Sequence, residues 1–483
     1  IKQYTIAVKA FGRPTDFNPR SDPIVRIEAG RLRRGLGRYY HLYGSNDPIV
    51  IDIPTGAYIP TFKANETVAP ASDEASASLP SPAALPQGPA IVVTPFETAL
   101  NDDAQRYFAD GLAEQMVVAL NRFHHLPVIG PLRREAIKGD FAVPGMLGRR
   151  YQAQFVLSGR IHKFADTVKI MVRLTDTQTG AVVWSDVFDG QTSAAELFLF
   201  GEEVTNQIAA TLADTYGVIP RAILRRTIHS RSDDFRVFDA VIRYSHFMIT
   251  GTEEAANQAI GALEQAVTLD PDNAMIKALL ADMYSMMYQY GADEATLAQS
   301  ERLAKQAILL DPQCQHAHFV LAFNPFFRGE RERFIREMRQ AVRLNPNNAM
   351  VLAFAGLHLG TAGEWDEGRE LMKKAMILNP HYPGWYHSLN FLMAYRQGNY
   401  EEALAEAHKF NRPDLFWDPL IRAATLGQLG RTKEAGAAIR ELLALKPDFL
   451  STGRTLMYRA LFSDENVDML LAGLYKAGLD TVA

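Results

Sequence analysis

Six prolines, Pro271, Pro312, Pro346, Pro380, Pro413 and Pro447, punctuate the second half of this 483-residue chain at separations of 41, 34, 34, 33 and 34. Five of them sit in similar phrases: AVTLDPDN, AILLDPQC, AVRLNPNN, AMILNPHY and LLALKPDF. Proline cannot continue a helix, yet its fixed φ suits the first turn of the next one, so each corner ends one helix and begins another. A 34-residue period holds two short helices with their turns, a unit too small to bury its apolar face alone. Stacked neighbours bury one another, which predicts a helical solenoid over residues 230–483 with a concave groove. Its first unit, at 41 residues, carries an insertion, and FNPFFRG (residues 323–329) puts a proline inside an expected helix.

The Ala and Leu offsets before each Asn/Asp-Pro corner resemble the tetratricopeptide repeat. GEWDEGRELMKKA (residues 363–375) and GNYEEALAEA (residues 398–407) match the second helix of that repeat. The resemblance implies a groove that holds a peptide or protein partner. The aromatic and Met-rich runs 283–290 and 385–395 either line that groove or form core between repeats, and their helical spacing favours core.

Ahead of the solenoid, residues 64–89 (ANETVAPASDEASASLPSPAALPQGP) are rich in Ala, Ser and Pro and lack aromatic residues. Such a segment buries too little surface to order itself and reads as a tether. Residues 90–220 then alternate. A buried strand (90–96) precedes an amphipathic helix (102–123) with Phe108, Leu112, Met116 and Leu120 on one face. Three strand-like runs, 155–164, 168–176 and 181–188, are separated by turns at 165–166 and 178–180 and predict an antiparallel meander. A helix over 193–216 completes an α/β sandwich. VTPFE (93–97), YFADGLAEQMVVALNRF (107–123), FVLSGRI (155–161) and VRLTDTQTGAVVWSDVF (172–188) resemble the TolB N-terminal-like domain. That resemblance implies an assembly or ligand-sensing module.

Residues 1–63 carry ten Lys/Arg against five acids, a surplus of +5 in a chain whose net charge is -5. A basic module on an acidic body is the asymmetry expected when one end meets phosphates. Val25, Ala29, Leu32, Leu36 and Tyr39 recur at helical spacing, with Arg26, Arg33 and Arg34 off that stripe. Ile49, Ile51 and Ile53 alternate with Val50 and Asp52 as a half-buried strand; residues 54–56 read as a turn and 57–62 as a second strand. Residues 1–12 read as a further helix.

Leu32, Arg33, Arg34 and Leu36, followed by Gly56 and Tyr58, resemble the recognition helix and wing of the OmpR/PhoB-type winged-helix effector domain. Gly35 departs from its pattern, and Gly35 and Gly37 each lower helicity by about 1 kcal/mol relative to Ala. The first helix of such a domain would precede Ile1, so a partial winged helix is expected. The resemblance implies double-stranded DNA as partner, with Arg26, Arg33 and Arg34 at base edges, Arg31 and Arg38 on phosphates, and Thr55 and Tyr58 in the wing. The competing reading makes these arginines a solvated face paired with neighbouring acids.

Catalytic signatures are missing from the sequence. There is no P-loop, no GxGxxG after a strand, no nucleophile elbow and no two-aspartate cyclase site. Cys314 and His318 share a helix face, but His316 points elsewhere and no second cluster adds metal ligands. His124 and His125 read as a capping or surface pair, and Asp102-Asp103 as charge at a helix N-terminus. No catalytic, metal or cofactor residue is therefore expected, nor an enzyme. No apolar run reaches the length of a membrane span, and a single cysteine suits a reducing cytoplasm.

The fold expected is multidomain: partial winged helix, α/β sandwich and all-α solenoid of tetratricopeptide repeats. The leading expectation is a cytoplasmic bacterial transcription regulator whose solenoid senses a partner. The alternative is a non-enzymatic scaffold or adaptor in a signalling, cyclase-associated or envelope complex. A homo-oligomer is left open.

Overall fold

A computed structural model describes residues 3–10, 18, 24–26, 29–30, 32–33, 36, 49–54, 58–64, 89–98, 103–132, 134–137, 143–164, 167–191, 194–227 and 236–480. The chain divides into two compact units, residues 1–81 and 82–483. The tether expected over 64–89 lies outside the described residues except at its two ends.

In the first unit, helix α1 (Gln3–Ala10) buries Ala7, and strand β1 (Ile49–Asp52) pairs antiparallel with β2 (Thr61–Ala64). The second strand begins later than the spacing predicts. Pro60 has no N–H to give a ladder, and the paired register runs only from Asp52↔Thr61 to Ile49↔Ala64. Ile53 is buried, as its alternation predicts, and so is Val25. Leu32 corrects the proposed apolar stripe: it is 53% exposed.

The second unit starts with a mixed sheet. Strand β3 (Ala90–Val93) runs parallel to both β5 (Val128–Ile129) and β6 (Ala153–Phe164), with the short β4 (Glu97–Thr98) also on β6. From β6 the sheet continues antiparallel through β7 (Thr167–Asp176) and β8 (Val182–Gln191), the meander that the sequence predicts. The β7–β8 turn is set by Asp176, whose Oδ1 accepts the N–H groups of Gln178 and Thr179, and by Gly180 at φ +72°. Helices α2 (Asp103–Asn121) and α4 (Ala194–Ala213) cover one face; Leu112, Met116 and Leu120 meet Leu157, Ile170, Ile208 and Leu212 there. Helix α3 (Pro144–Tyr151) covers part of the other face through Leu147, against Val92 and Val156. Helix α5 (Val218–Thr227) leads to the solenoid.

Seven helical hairpins follow among the described residues. They are α6 (Arg236–Thr250) with α7 (Glu253–Leu269), α8 (Ala274–Gln289) with α9 (Glu294–Leu310), and α10 (Gln315–Phe327) with α11 (Arg331–Leu344). Next come α12 (Ala349–Thr361) with α13 (Trp365–Leu378) and α14 (Ser388–Arg396) with α15 (Tyr400–Phe410). The last are α16 (Trp417–Gln428) with α17 (Thr432–Leu445) and α18 (Phe449–Leu461) with α19 (Asp464–Lys476). This is the tetratricopeptide-like solenoid that the period predicts. Asn273 and Asn348, just beyond two corner prolines, cap their helices by accepting the Ile276 and Val351 N–H groups. The 41-residue spacing is mostly not a loop insertion: α8 and α9 span 16 and 17 residues, against 13 and 14 for α10 and α11. Pro325 falls in the last turn of α10, two residues before the helix ends, and its carbonyl accepts the Glu330 N–H.

Small residues let paired helices cross closely. A Cβ added to Gly356 of α12 would lie 2.7 Å from the Gly368 carbonyl oxygen of α13 and 3.0 Å from Met372 N. Backbone cannot yield there, so Gly356→Ala is expected to cost about 1–3 kcal/mol, read as a lower urea midpoint. A midpoint equal to wild type would mean that the hairpin can open without loss.

Candidate functional site

The residues proposed to meet DNA are only partly assembled. Arg31, Arg34, Arg38 and Thr55 lie outside the described residues. Arg26 is helical and exposed. Arg33 instead turns toward its own hairpin: its Nε donates to the Ile53 carbonyl at 2.8 Å and Nη2 to the Pro54 carbonyl at 3.2 Å. Those carbonyls lie just past the end of the β1–β2 ladder, where among the described residues no strand partner takes them, and the guanidinium fork satisfies them. Tyr58 accepts a hydrogen bond from Gln3 Nε2, tying the β1–β2 connection to α1. Arg33 and Tyr58 are thus holding the unit together, a use that sequence spacing did not reveal.

The second unit joins its sheet layer to the solenoid through buried polar contacts. Asp214, at the end of α4 and fully buried, accepts the backbone N–H groups of Met350 (2.9 Å) and Tyr216 (3.0 Å) and the Asn379 side-chain amide (3.2 Å). Burial pushes its carboxyl above the usual range, and the three donors oppose that shift. Asn345 donates to the Arg122 carbonyl, Asn347 to Asn206 Oδ1, Thr211 to the Leu378 carbonyl and Arg221 to the His381 carbonyl. The corner chemistry matches how deeply each corner is buried. Corners written with Asp, at Asp270 and Asp311, stay partly exposed, whereas those written with Asn, at Asn345 and Asn379, are fully buried. A buried carboxylate would bear a desolvation cost that an amide avoids.

The histidines expected as a surface or capping pair belong to this junction. His124 Nδ1 lies 3.2 Å from Asp311 Oδ2, and burial lowers the His125 pKa to about 4, assisted by the charges of His316 and His124 and opposed by a hydrogen bond with the Ala213 backbone. His316 is itself buried, with Nε2 2.9 Å from Asp282 Oδ2, an oxygen that also accepts from the Tyr244 hydroxyl at 2.6 Å. Cys314 is buried at the start of α10, its thiol pushed up to about 11, and His318 Nε2 meets the Pro312 carbonyl. Among the described residues no three His, Cys, Asp or Glu side chains group as metal ligands.

The solenoid closes on itself. Arg412, after α15, donates through Nη2 to the Thr250 carbonyl at the end of α6 (3.0 Å), and Arg459 of α18 donates to the Tyr288 carbonyl in the last turn of α8 and to the Ala292 carbonyl just after it, while stacking 3.8 Å over the Tyr288 ring. These contacts bridge more than 160 residues and bring the last hairpins against the first. They leave an apolar cavity of about 420 Å³, walled by Met286, Met287, Phe354, Trp385, Phe391 and Trp417, among others.

The two Met- and aromatic-rich runs therefore do both jobs. Met283, Tyr284 and Tyr288 are buried, and Met286, Met287 and Tyr290 line the cavity; Tyr386, Leu389 and Tyr395 are core, and Trp385, Phe391 and Leu392 line it. Sequence reasoning missed His358, a cavity-wall residue buried in α12. Its signal was a single imidazole in the otherwise apolar run AMVLAFAGLHLG. It missed Asp214 too, the lone acid in ATLADTYG.

No protein-family model matches the chain. A Rhizobium meliloti protein named "Putative adenylate cyclase 3" is 27% identical over 246 residues, covering 50% of this chain and 41% of that protein. The chain thus spans about two-fifths of that relative's length. The human IFIT1 dimer with m7Gppp-AAAA is similar in structure at 15% identity and a TM-score of 0.39, covering 58% of this chain and 75% of that one. Yeast Tom70 is similar at 16% identity and a TM-score of 0.33, covering 52% and 55%. Both scores are low, and the helical-repeat architecture rests on the chain's own hairpins and their closure.

Proposed function

We propose that this chain is a non-enzymatic binding protein of the cytoplasm, an adaptor or receptor in a signalling assembly, whose helical solenoid takes its ligand or partner into the central cavity. The observation that carries this reading is the apolar cavity of about 420 Å³, within the roughly 300–1,000 Å³ typical of ligand sites. Met286 and Met287 supply unbranched, polarizable walls suited to an apolar guest. The likeness to a protein named as a cyclase fits a signalling setting; the two-aspartate signature of that chemistry is missing from this sequence. The TolB-like resemblance of residues 90–220 fits a sensing module docked on the receptor.

Filling the cavity tests the proposal. Ala256→Trp with Ala460→Trp places two indoles at wall positions. Native mass spectrometry of full-length protein recovered from cell extract is expected to show bound species on wild type that the filled variant has lost. Identical species on both would overturn the cavity as the binding site.

A second reading, favoured by the +5 surplus of residues 1–63 and by their helix-then-hairpin order, is that the first unit carries the signal to DNA, as the OmpR/PhoB-type resemblance implies. In that reading Arg26 meets the duplex, with Arg31, Arg34 and Arg38. Fluorescence anisotropy with mixed genomic duplex across a salt series distinguishes the two. A log K that falls steeply with log salt supports DNA contact, and binding that is undetectable or salt-insensitive leaves the adaptor reading alone.

A further inference from the structure

The polar groups on the cavity wall are not equally satisfied. Arg412 is paired by Asp414 through both carboxylate oxygens, at 3.0 and 2.8 Å, so it brings no net charge to the cavity. The Tyr216 hydroxyl oxygen accepts from Trp385 Nε1 at 3.3 Å. His358 differs. It is 2% exposed, and its Nδ1 lies 2.8 Å from the Phe354 carbonyl one helical turn back. A carbonyl only accepts, so Nδ1 carries the proton and Nε2 is left as a bare acceptor. That Nε2 is buried and, among the described residues, has no hydrogen-bond partner.

The ring cannot easily turn to find one. Phe323 and Phe326 pack edge-on against it, each with centroids 4.9 Å away, and Phe354 stacks on it at 6.0 Å. Burial lowers its pKa to about 4, so at neutral pH the imidazole is uncharged and accepts rather than donates. Where His358 meets the apolar part of the wall it presents a fixed, neutral, unused acceptor, complementary to an apolar guest bearing one donor, because an unpaired buried acceptor loses its solvation without return.

We infer that the solenoid cavity binds a neutral lipophilic small molecule that carries a single N–H or O–H group, with His358 Nε2 accepting from it and Met287 packing against its apolar body. This rests on the cavity's being the binding site, and it adds the chemical class of the guest. Anionic amphiphiles are disfavoured, since Arg412, the cation on the wall, is already paired with Asp414.

The test uses N-phenyl-1-naphthylamine, a neutral fluorophore with one N–H that brightens in apolar surroundings, and its N-methyl analogue, which lacks the donor. With full-length protein, saturable, blue-shifted emission is expected from the first, and about tenfold weaker binding from the second. His358→Leu should erase that preference while still binding both, and the Ala256→Trp/Ala460→Trp protein should bind neither. Affinity for the donor probe should be flat from pH 6 to 8.

Equal affinity of the two probes for wild type, or a preference that survives His358→Leu, would overturn the inference. The wild-type comparison needs no variant to fold. Probe failure alongside extract species that depend on the open cavity would remove only this guest class. Probe failure together with species indifferent to cavity filling would remove the binding role as well.

Discussion

Acidification from pH 7.5 to pH 5 is expected to remove about 2 kcal/mol of folding stability through His358 alone. Its folded pKa is about 4 against an ordinary 6.5, because burial among Phe323, Phe326 and Phe354 penalises the imidazolium. The unfolded chain therefore takes up the proton first. The contribution is complete above pH 6.5, shrinks as pH falls toward 4, and is gone below that. His125, lowered to about 4 as well, adds in the same direction, by less because it is partly exposed. Asp214 acts oppositely, since its raised value favours the folded state as pH falls. Glu301, Glu406 and Asp414 are held below the ordinary carboxylate range, so their contributions are lost only at pH below this window. Urea midpoints at pH 7.5 and pH 5 for wild type and His358→Leu isolate the effect. The variant should show a shallower pH dependence by about 2 kcal/mol, and parallel lines would refute it.

Asp214→Ala is expected to be the most damaging single change at the junction, at about 3–5 kcal/mol. It strips an acceptor from the Met350 and Tyr216 N–H groups and from Asn379, all in a site that water does not reach. Met350 is the second residue of α12, whose first N–H groups have no partner inside the helix, so Asp214 serves that helix as a cap supplied from another element. The loss should therefore also uncouple the sheet layer from the solenoid. Hydrogen exchange at residues 349–352 should accelerate, and urea unfolding should broaden into separable transitions. Asp214→Asn keeps one carbonyl oxygen for the Tyr216 and Asn379 donors but turns an NH2 toward the Met350 N–H, so it should cost less than alanine without being neutral. An alanine variant within about 1 kcal/mol of wild type would show that water replaces the carboxylate, contrary to the burial seen.

Much of the fold was legible because its signals are local. The proline corners and the GEWDEGRELMKKA helix each act within a few residues, and the meander announced itself through the turn at residues 178–180, where Gly180 takes φ +72°. Strand β2 was placed too early because Ala57, Tyr58 and Ile59 alternate like a strand while Pro60 denies the ladder an N–H. Leu32 shares the helical spacing of Val25 yet is 53% exposed, because spacing gives a residue's face on a helix and not what covers that face. Arg33 was legible as a cation and not as the donor to Ile53 and Pro54, because that pairing joins a helix to a strand end 20 residues on.

The sequence alone determined the repeat, its period, the meander with the two long helices of the sheet layer, and the neutral Asn corners that can be buried at Asn345 and Asn379. All follow from chain stiffness, helix capping and periodic burial, which act between residues close together. Only the tertiary structure decided that the solenoid closes, that Arg412 and Arg459 reach back to the first hairpins, and that His358 faces a cavity with its Nε2 unused. Closure is the accumulated result of small rotations between successive hairpins. A rotation of that kind is set by side-chain packing between neighbours and leaves no mark on the spacing of residues along the chain.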